Sequence, residues 1–508
     1  MSLPKSGPAL VCFVKEDCPT CNTVMPLLEA LHRQWGDRCP VQVLGQTQDG
    51  NAKLVREHDL SVPIADDSAL QVSYAADIDT VPTLFFAGET QQQPLVGFVR
   101  DEWRAALDQC AQQQGLGNAE IAWDELPEWR PGCGSLSVDP LHAERLRAEA
   151  ENSPIRARRL DIGALDDPFE FMFDQGFSDG LPLVPPTPER VLRMLDGCRR
   201  DPQSSIAQMP PNMADLTIEK VAINAVMAGC RPEYLPVVIA ALEAICTDEY
   251  NIHGVMATTM GASPAIVVNG PIREQIGMNM GLGALGQGNR ANATIGRAVR
   301  LAVRNVGGAK PGGTERSTLG NSAKFTQCFA EWEERHPWEP LHVERGFERD
   351  DSVVTVFTMS SGPTLMVDQD SRNGRQLGAS FGMCLDAIFH PRAHYATNVL
   401  LVVCPEHVDT FVKDGYDKAA IRARIQEVTA RSIAELGADD DCAVGFKAAQ
   451  LASMDERTLA KRLPKFRDEA DIHITVAGGD AGKFSGAFHG WVTGSMGSIV
   501  TSKKIDAR

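Results

Sequence analysis

The chain has 508 residues, of which 43% are hydrophobic, and its formal net charge is −18. This length predicts two or three domains, and the negative charge argues against nucleic acid or an anionic membrane as a partner. No run of about 18 apolar residues occurs, so no membrane span is predicted. Met1 to Pro8 lack a signal-peptide pattern. Thirteen cysteines, an odd number in a long chain, suit a reducing cytoplasm.

The first predicted elements are a buried strand, Ala9 to Val14, and a helix, Asn22 to Trp35, with apolar residues at helical spacing. Between them stands Asp17-Cys18-Pro19-Thr20-Cys21. The start of a helix favours the thiolate form of Cys18, because the helix dipole is positive there. Cys21, nearly one turn further on, is placed to close a disulfide with it. The pair therefore predicts thiol redox chemistry.

The C-x-x-C pair has a second interpretation, as half of a zinc site. No second C-x-x-C lies in the first 110 residues to complete such a site. Further along, Val81-Pro82-Thr83 opens an apolar strand. Together these motifs resemble thioredoxin-like proteins, and the stretch from 62 to 76 resembles the insertion of their TlpA- and peroxiredoxin-like branches.

The thioredoxin-like resemblance covers roughly residues 7–112. It implies that Cys18 is the attacking thiolate, Cys21 the resolving thiol and Pro82 a cis-proline beside them. Glu16 and Asp17 depart from the family pattern, and their charges are expected to oppose ionisation of Cys18.

A helix from Asp101 to about Gln113 is predicted to complete the first domain, residues 1–114. Residues 115–168 are predicted as a linker that carries one solvated helix and an exposed turn at Cys133. A flexible segment of some twenty residues reaches roughly 25 Å. Cys133 is therefore hypothesised to be a substrate-facing or shuttle thiol that the Cys18/Cys21 pair reduces; the alternative is an unreactive linker cysteine.

Residues 169–508 alternate predicted strands with predicted helices, which indicates a larger α/β domain. Its recurring pattern of a strand followed by glycines permits two half-domains, with a sub-boundary near 310–350. The strands are predicted at 265–269, 352–357, 398–403 and 472–477, and the helices at 217–228, 234–245, 292–305, 407–413 and 418–436.

Two glycine-rich loops are candidates for substrate binding. The first, Gly281 to Gly288, matches a dinucleotide fingerprint but neither directly follows its strand nor has the acidic residue that should come later. It leads into a helix start, which predicts an anion site, with a plain structural turn as the alternative. The second, Gly478 to Ser485, fails the P-loop spacing but follows a strand and predicts a pocket wall. The candidate binding residues are Gly283, Gly286, Asn289, Arg290, Asn292, Gly478, Gly479 and His489.

Metal-capable side chains are densest in one later stretch, namely Cys384, His390, His394, Cys404 and His407. Cys404 and His407, at the end of a predicted strand, form the best local pair for zinc. The alternative is a mixture of surface histidines and buried free cysteines. No ligand set is complete in the sequence, so neither a metal nor another cofactor is predicted.

Two further passages, Gly180 to Thr187 and Ala477 to Ser485, resemble an uncharacterised bacterial family in which some members carry a selenocysteine-Gly-Ser-Cys motif. Cys133-Gly134-Ser135 would match the start of that motif, with Leu136 in place of its final cysteine. This resemblance implies no activity.

The prediction is an α/β enzyme: a thioredoxin-like thiol–disulfide oxidoreductase domain that supplies electrons or thiol chemistry to a larger α/β domain. The second domain would act on a small, anionic substrate. One alternative is a metal-dependent lyase or hydrolase that uses Cys404 and His407. Another is a redox-regulated scaffold whose first domain is a docking module. The predicted partners are a small molecule or a thiol/disulfide partner, and oligomer formation is left open.

Overall fold

The structure is a computed structural model that describes residues 9–87, 93–163 and 165–506. The segment Met1 to Pro8, for which no signal peptide is predicted, lies outside the described residues. The chain divides into two compact units, Met1–Asp161 and Ile162–Arg508. Among the described residues, no helix combines the length and the apolar composition that crossing a membrane requires.

The first unit combines short strands with helices. Its strands are β1 (Ala9–Val14), β2 (Val41–Gly45), β3 (Ile64–Asp66), β4 (Thr80–Val81), β5 (Thr83–Ala87), β6 (Leu95–Val96), β7 (Phe98–Val99), β8 (Trp129–Arg130) and β9 (Cys133–Gly134). Its helices are α1 (Pro19–Trp35), α2 (Gln48–His58), α3 (Gln71–Ala75), α4 (Arg100–Gln113) and α5 (Pro140–Ala150).

The main sheet of this unit has five strands in the order β3-β2-β1-β5-β6. Strand β1 is parallel to β2 and antiparallel to β5, and all six of its residues are buried. Helix α1 begins at Pro19 rather than at Asn22, because proline is well suited to the first helical position and Cys18 caps the helix. The prediction of an α/β chain is confirmed.

Residues 115–161, which were predicted to be part of a linker, lie within the first unit. Strand β9 pairs with β4, and β8 pairs with β7. Buried polar side chains fix the segment, since the Gln46 amide donates to Ser135 Oγ at 2.7 Å. The Ser137 hydroxyl likewise donates to the carbonyl oxygen of Ile78 at 2.6 Å. The segment that contains Cys133 is therefore fixed within the first unit by specific hydrogen bonds.

The second unit contains the remaining elements. Its strands are β10 (Ser205–Met209), β11 (Ala214–Thr217), β12 (Ser263–Asn269), β13 (Cys328–Ala330), β14 (Val353–Val367), β15 (Thr397–Val403), β16 (Arg431–Ser432), β17 (Arg462–Leu463), β18 (Ile472–Val476), β19 (Phe484–Val492) and β20 (Thr501–Lys504). Its helices are α6 (Pro168–Asp174), α7 (Pro188–Leu195), α8 (Ile218–Ala228), α9 (Leu235–Ile245), α10 (Ile252–Ala257), α11 (Ile272–Gln275), α12 (Arg290–Asn305), α13 (Leu341–Glu344), α14 (Gly374–Asp386), α15 (Pro405–Lys413), α16 (Lys418–Thr429), α17 (Ala448–Ala452) and α18 (Glu456–Leu459).

A seven-stranded mixed sheet organises the second unit, in the order β13-β12-β14-β19-β15-β18 with β20 paired to β14. Strands from both sides of residues 310–350 therefore belong to one sheet. Helix α8 ends where predicted, at Gly229, whose φ of 90° is a left-handed conformation that glycine adopts freely. The helix predicted from Lys418 to Leu436 is wrong beyond Thr429, because Ala430 turns to extended backbone and β16 follows.

Candidate active site

Cys18 lies where the N-terminus of α1 meets the loop before β5. Its Sγ accepts a hydrogen bond from the backbone N of Cys21 at 3.3 Å and lies 3.5 Å from the carbonyl oxygen of Val81. The peptide bond between Val81 and Pro82 is cis. The structure thus brings together the three residues that the thioredoxin-like resemblance singled out.

A third thiol, Cys133, lies beside Cys18. In the β4–β9 pair Cys133 is opposite Val81, and its thiol is one of the groups that lower the pKa of Cys18. The chain can approach this closely because residue 132 is glycine: an added Cβ would lie 2.9 Å from the Val81 carbonyl oxygen. The picture of Cys133 on a flexible linker is therefore wrong, since it is held in place next to Cys18.

Two residues next to the cysteines that were not singled out from the sequence hold the Cys133 segment. The Thr20 hydroxyl, inside the C-x-x-C motif, donates to the carbonyl oxygen of Pro131 at 2.5 Å. Lys15 Nζ donates to the carbonyl oxygen of Gly134 at 3.2 Å. In the sequence, the only feature that could have indicated this role is that both residues lie close to Cys18. Their hydrogen-bond partners are more than 100 positions away, so the contacts themselves could not be predicted.

The hydrogen bonds around Cys18 favour its thiolate. The Cys21 thiol is the largest cause, and together with the Cys133 thiol and the backbone N–H groups of Cys21 and Thr20 it outweighs burial and lowers the pKa of Cys18 to about 5. Burial and the charge on Cys18 raise the pKa of Cys21 well above its ordinary value. Burial and Cys18 likewise raise the pKa of Cys133 to about 11. At neutral pH the site therefore holds one thiolate and two thiol donors.

The acidic residues before Cys18 do not act as expected. Asp17 is exposed and paired with Lys15 at 3.3 Å, and Glu16 accepts a hydrogen bond from the Thr47 hydroxyl at 2.8 Å. The pKa of Cys18 is lowered all the same, so these charges do not keep its thiol neutral.

Comparisons with known proteins give a limited picture. No family model matches the chain, and no curated protein matches it. Three solved structures have the following similarities. A secreted disulfide oxidoreductase of Mycobacterium tuberculosis, homologous to E. coli DsbE, is 15% identical over 19% of this chain and 77% of its own, with a TM-score of 0.18. A thioredoxin-like protein in the oxidised form is 19% identical over 21% of this chain and 80% of its own, with a TM-score of 0.20. StoA from Bacillus subtilis is 18% identical over 24% of this chain and 85% of its own, with a TM-score of 0.18.

In the second unit, the polar residues predicted to bind an anion make contacts within the protein. Asn289 caps α12, its side chain accepting from the backbone N of Asn292 at 3.0 Å. The Asn292 amide donates to the carbonyl oxygen of Asn279 at 2.8 Å, and Arg290 Nε donates to that of Gly229 at 2.8 Å. These contacts are those of a structural turn at the start of a helix.

The two glycine-rich loops lie next to each other in the second unit. The backbone N of Gly478 donates to the carbonyl oxygen of Met280 at 2.9 Å. An added Cβ on Gly479 would lie 3.0 Å from the side chain of Leu282. Gly286 closes a tight turn in the first loop, because its N donates to the carbonyl oxygen of Gly283 at 2.7 Å.

The last candidate binding residue, His489, lies on β19 rather than in a loop. Its Nε2 is 2.8 Å from the Thr364 hydroxyl, and burial lowers its pKa. Its binding role stays a prediction.

The metal-capable side chains fall into separate places. His407 Nδ1 is 2.7 Å from the Ser485 hydroxyl, which in turn lies 3.5 Å from Cys404 Sγ. His390 contacts Cys442 at 3.6 Å, and His394 lies 2.9 Å from the carbonyl oxygen of Pro464. Within the described residues no group of three or more His, Cys, Asp or Glu side chains has the arrangement to hold a metal ion.

The Cys404 and His407 side chains form an acid–base pair. Burial opposes ionisation of Cys404 most strongly, yet the hydrogen bonds of His407 and Ser485 lower its pKa overall. Burial disfavours the protonated form of His407 and so acts to lower its pKa, but the interaction with Cys404 outweighs burial and the pKa is raised overall. Both side chains are almost completely buried, at 4% and 1% exposed. Each side chain therefore shifts the pKa of the other toward its charged form, within the protein interior.

Proposed function

We propose that the first unit is a thiol–disulfide oxidoreductase in which Cys18 is the attacking thiolate and Cys21 the resolving thiol. The observation that carries the proposal is the environment of the Cys18 sulfur. The sulfur accepts a hydrogen bond from the backbone N of Cys21 at a helix start, and the neighbouring Cys21 and Cys133 thiols contribute to lowering its pKa to about 5.

The proposed reaction has two steps. The Cys18 thiolate attacks one sulfur of a substrate disulfide, so that a mixed disulfide forms and the other substrate sulfur leaves as a thiolate that takes a proton. The Cys21 thiol then loses its proton and attacks the Cys18 sulfur, which expels the second substrate thiolate. The substrate gains two electrons from the Cys18/Cys21 pair and two protons, one from the Cys21 thiol and one from solvent, because Cys18 is already ionised. A dithiol reductant restores the reduced pair.

Cys133 is proposed as a third participant. Cys133 is opposite Val81, whose carbonyl oxygen lies 3.5 Å from the Cys18 sulfur, so its thiol is near enough to attack the Cys18 sulfur of a mixed disulfide and expel the substrate thiolate. Replacing Cys21 by serine removes the resolving thiol and, after mild oxidation, is expected to trap a Cys18–Cys133 disulfide. Finding Cys18 linked only to glutathione would rule out this role.

The wider proposal is that these electrons serve chemistry of the second unit on a small, anionic substrate, in the cytoplasm. The fusion of a dithiol site to a larger α/β unit in one chain supports the proposal that electrons pass from the first unit to the second. The cytoplasmic location rests on the cysteine content of 13, an odd number in a long chain, which suits a reducing compartment.

The test is the turnover of a dye-labelled disulfide with dithiothreitol and the full chain. Wild-type protein is expected to accelerate reduction, and Cys18→Ser to fall to the uncatalysed rate. Cys198→Ser is the matched control, since Cys198 is a partly exposed cysteine of the second unit. Equal activity in Cys18→Ser and wild type would contradict the proposal.

A further inference from the structure

A cavity of about 350 Å³ lies in the second unit, beside the C-terminal half of α12 and the loop that follows it. Small-molecule sites generally occupy about 300–1,000 Å³, so the cavity has the size of a small ligand. Its lining is unusually rich in charge: Asp179, Arg300, Arg304, Glu315 and Lys324 all contribute.

The two carboxylates of the cavity are already matched by cations. Asp179 receives two hydrogen bonds from the Arg297 guanidinium, at 2.9 and 2.8 Å. Glu315 accepts a hydrogen bond from Lys324 Nζ at 2.7 Å. These pairs account for both negative charges and leave the remaining two guanidinium groups in excess.

Arg300 and Arg304 are the excess cations. The side chain of Arg300 is only 8% exposed; it donates to the carbonyl oxygen of Lys324 at 3.2 Å and lies 3.8 Å from the already paired Glu315. Arg304 Nε is buried and has no hydrogen-bond partner among the described residues. Burial lowers the pKa of both guanidinium groups. The negative end of the α12 dipole offsets about half a charge, which still leaves more than one positive charge unmatched.

We propose that this cavity binds a small organic anion that carries a carboxylate and an apolar body. A guanidinium group presents paired N–H donors that match a carboxylate, and Arg304 has an unused donor beside the cavity. The exposed side chains of Leu319 and Phe325 provide an apolar wall for the rest of the ligand. An anion here would supply the charge that the protein leaves missing.

The proposed site lies at the opposite end of α12 from the anion site predicted at the Gly281 loop. Arg297, Arg300 and Arg304 are spaced three and four residues apart, which places them along one side of the helix. That spacing is the sequence signal for the site. The proposal does not depend on the dithiol chemistry of the first unit.

Isothermal titration calorimetry on the full chain tests the proposal, with benzoate, succinate and inorganic phosphate as probes. At least one carboxylate is expected to bind, and more tightly than phosphate. Arg304→Gln is expected to weaken that binding about tenfold or more, because a charge-assisted hydrogen bond is lost. Arg193→Gln, at an exposed arginine of α7 outside the cavity, is the matched control and is expected to bind like wild type.

A second variant keeps the test independent of the stability of Arg304→Gln. Leu319 is 96% exposed, so Leu319→Glu is expected to fold, to place a negative charge at the cavity and to weaken carboxylate binding. The proposal is overturned if no carboxylate binds, or if phosphate binds as tightly as the carboxylates. Unchanged carboxylate binding in both Arg304→Gln and Leu319→Glu would overturn it as well.

Discussion

Removing the Cys133 thiol should raise the pKa of Cys18, which the structure places at about 5. Cys133→Ala deletes one of the hydrogen bonds that stabilise the Cys18 thiolate. A hydrogen bond to a charged group is worth about 1.5–3 kcal/mol, and a thiol, as a weak donor, belongs at or below the lower end. Since one pKa unit corresponds to about 1.4 kcal/mol, the expected shift is about one unit, to a pKa near 6.

The assay is the pH dependence of Cys18 alkylation by iodoacetamide, with each peptide resolved by mass spectrometry in the full, reduced chain. The rate follows the thiolate fraction, so it rises with pH through the pKa and is flat above it. At pH 6 the thiolate fraction should fall from about nine-tenths in wild type to about one-half in Cys133→Ala. Cys133→Ser keeps a hydroxyl donor and should stay closer to wild type.

The reasoning would be refuted by a Cys18 pH profile that is the same in wild type and Cys133→Ala. It would be refuted equally by a wild-type midpoint near the ordinary thiol pKa of about 8.5, because then no hydrogen bond at the site stabilises the thiolate.

Three more predictions concern packing, a buried charge and metal content. Gly132→Ala forces a methyl group against the Val81 carbonyl oxygen, and a urea midpoint lower by the equivalent of about 1–3 kcal/mol is expected; an unchanged midpoint would show that the segment is loose. Lys418→Met leaves the fully buried Glu331 carboxylate without the cation 3.8 Å away, at an expected loss of about 3–5 kcal/mol in the free energy of unfolding. The exposed Lys413→Met is its control, and equal effects would refute the argument. Elemental analysis should find no stoichiometric zinc or iron, and one zinc per chain that is lost in a Cys404→Ala variant would favour a metalloenzyme.

The first unit was largely predictable because its signals are local. The apolar run of β1 and the helical spacing of α1 place the C-x-x-C motif at a helix start, as the structure confirms. The position of Cys133 was not predictable, because β9 has only two residues and its partner Val81 lies about 50 positions earlier in the chain. Glycines on both sides of Cys133 indicated an exposed bend, whereas Gly132 serves a close backbone approach.

In the second unit, the strands that were missed are those with weak local patterns. β19, at Phe484–Val492, contains two glycines and a histidine, so its sequence shows no clear strand pattern, and only pairing with β14 and β15 defines it. β20 is short and polar and lies beside β14. The polar side chains at the start of α12 indicated a ligand site, whereas in the structure they donate to backbone carbonyl oxygens. Such backbone acceptors cannot be identified from the sequence.

Disulfide mapping at equilibrium tests most directly the proposal that Cys18 and Cys21 form a reversible dithiol pair. The full chain is equilibrated in glutathione buffers of graded potential, quenched by alkylation and mapped without reduction. We expect a Cys18–Cys21 disulfide that appears and disappears in a single two-electron transition. The mapping resolves it from any bond between Cys39 and Cys110, whose thiols shift each other's pKa. Cys18 found only alkylated, or only joined to glutathione, at every potential would contradict the account.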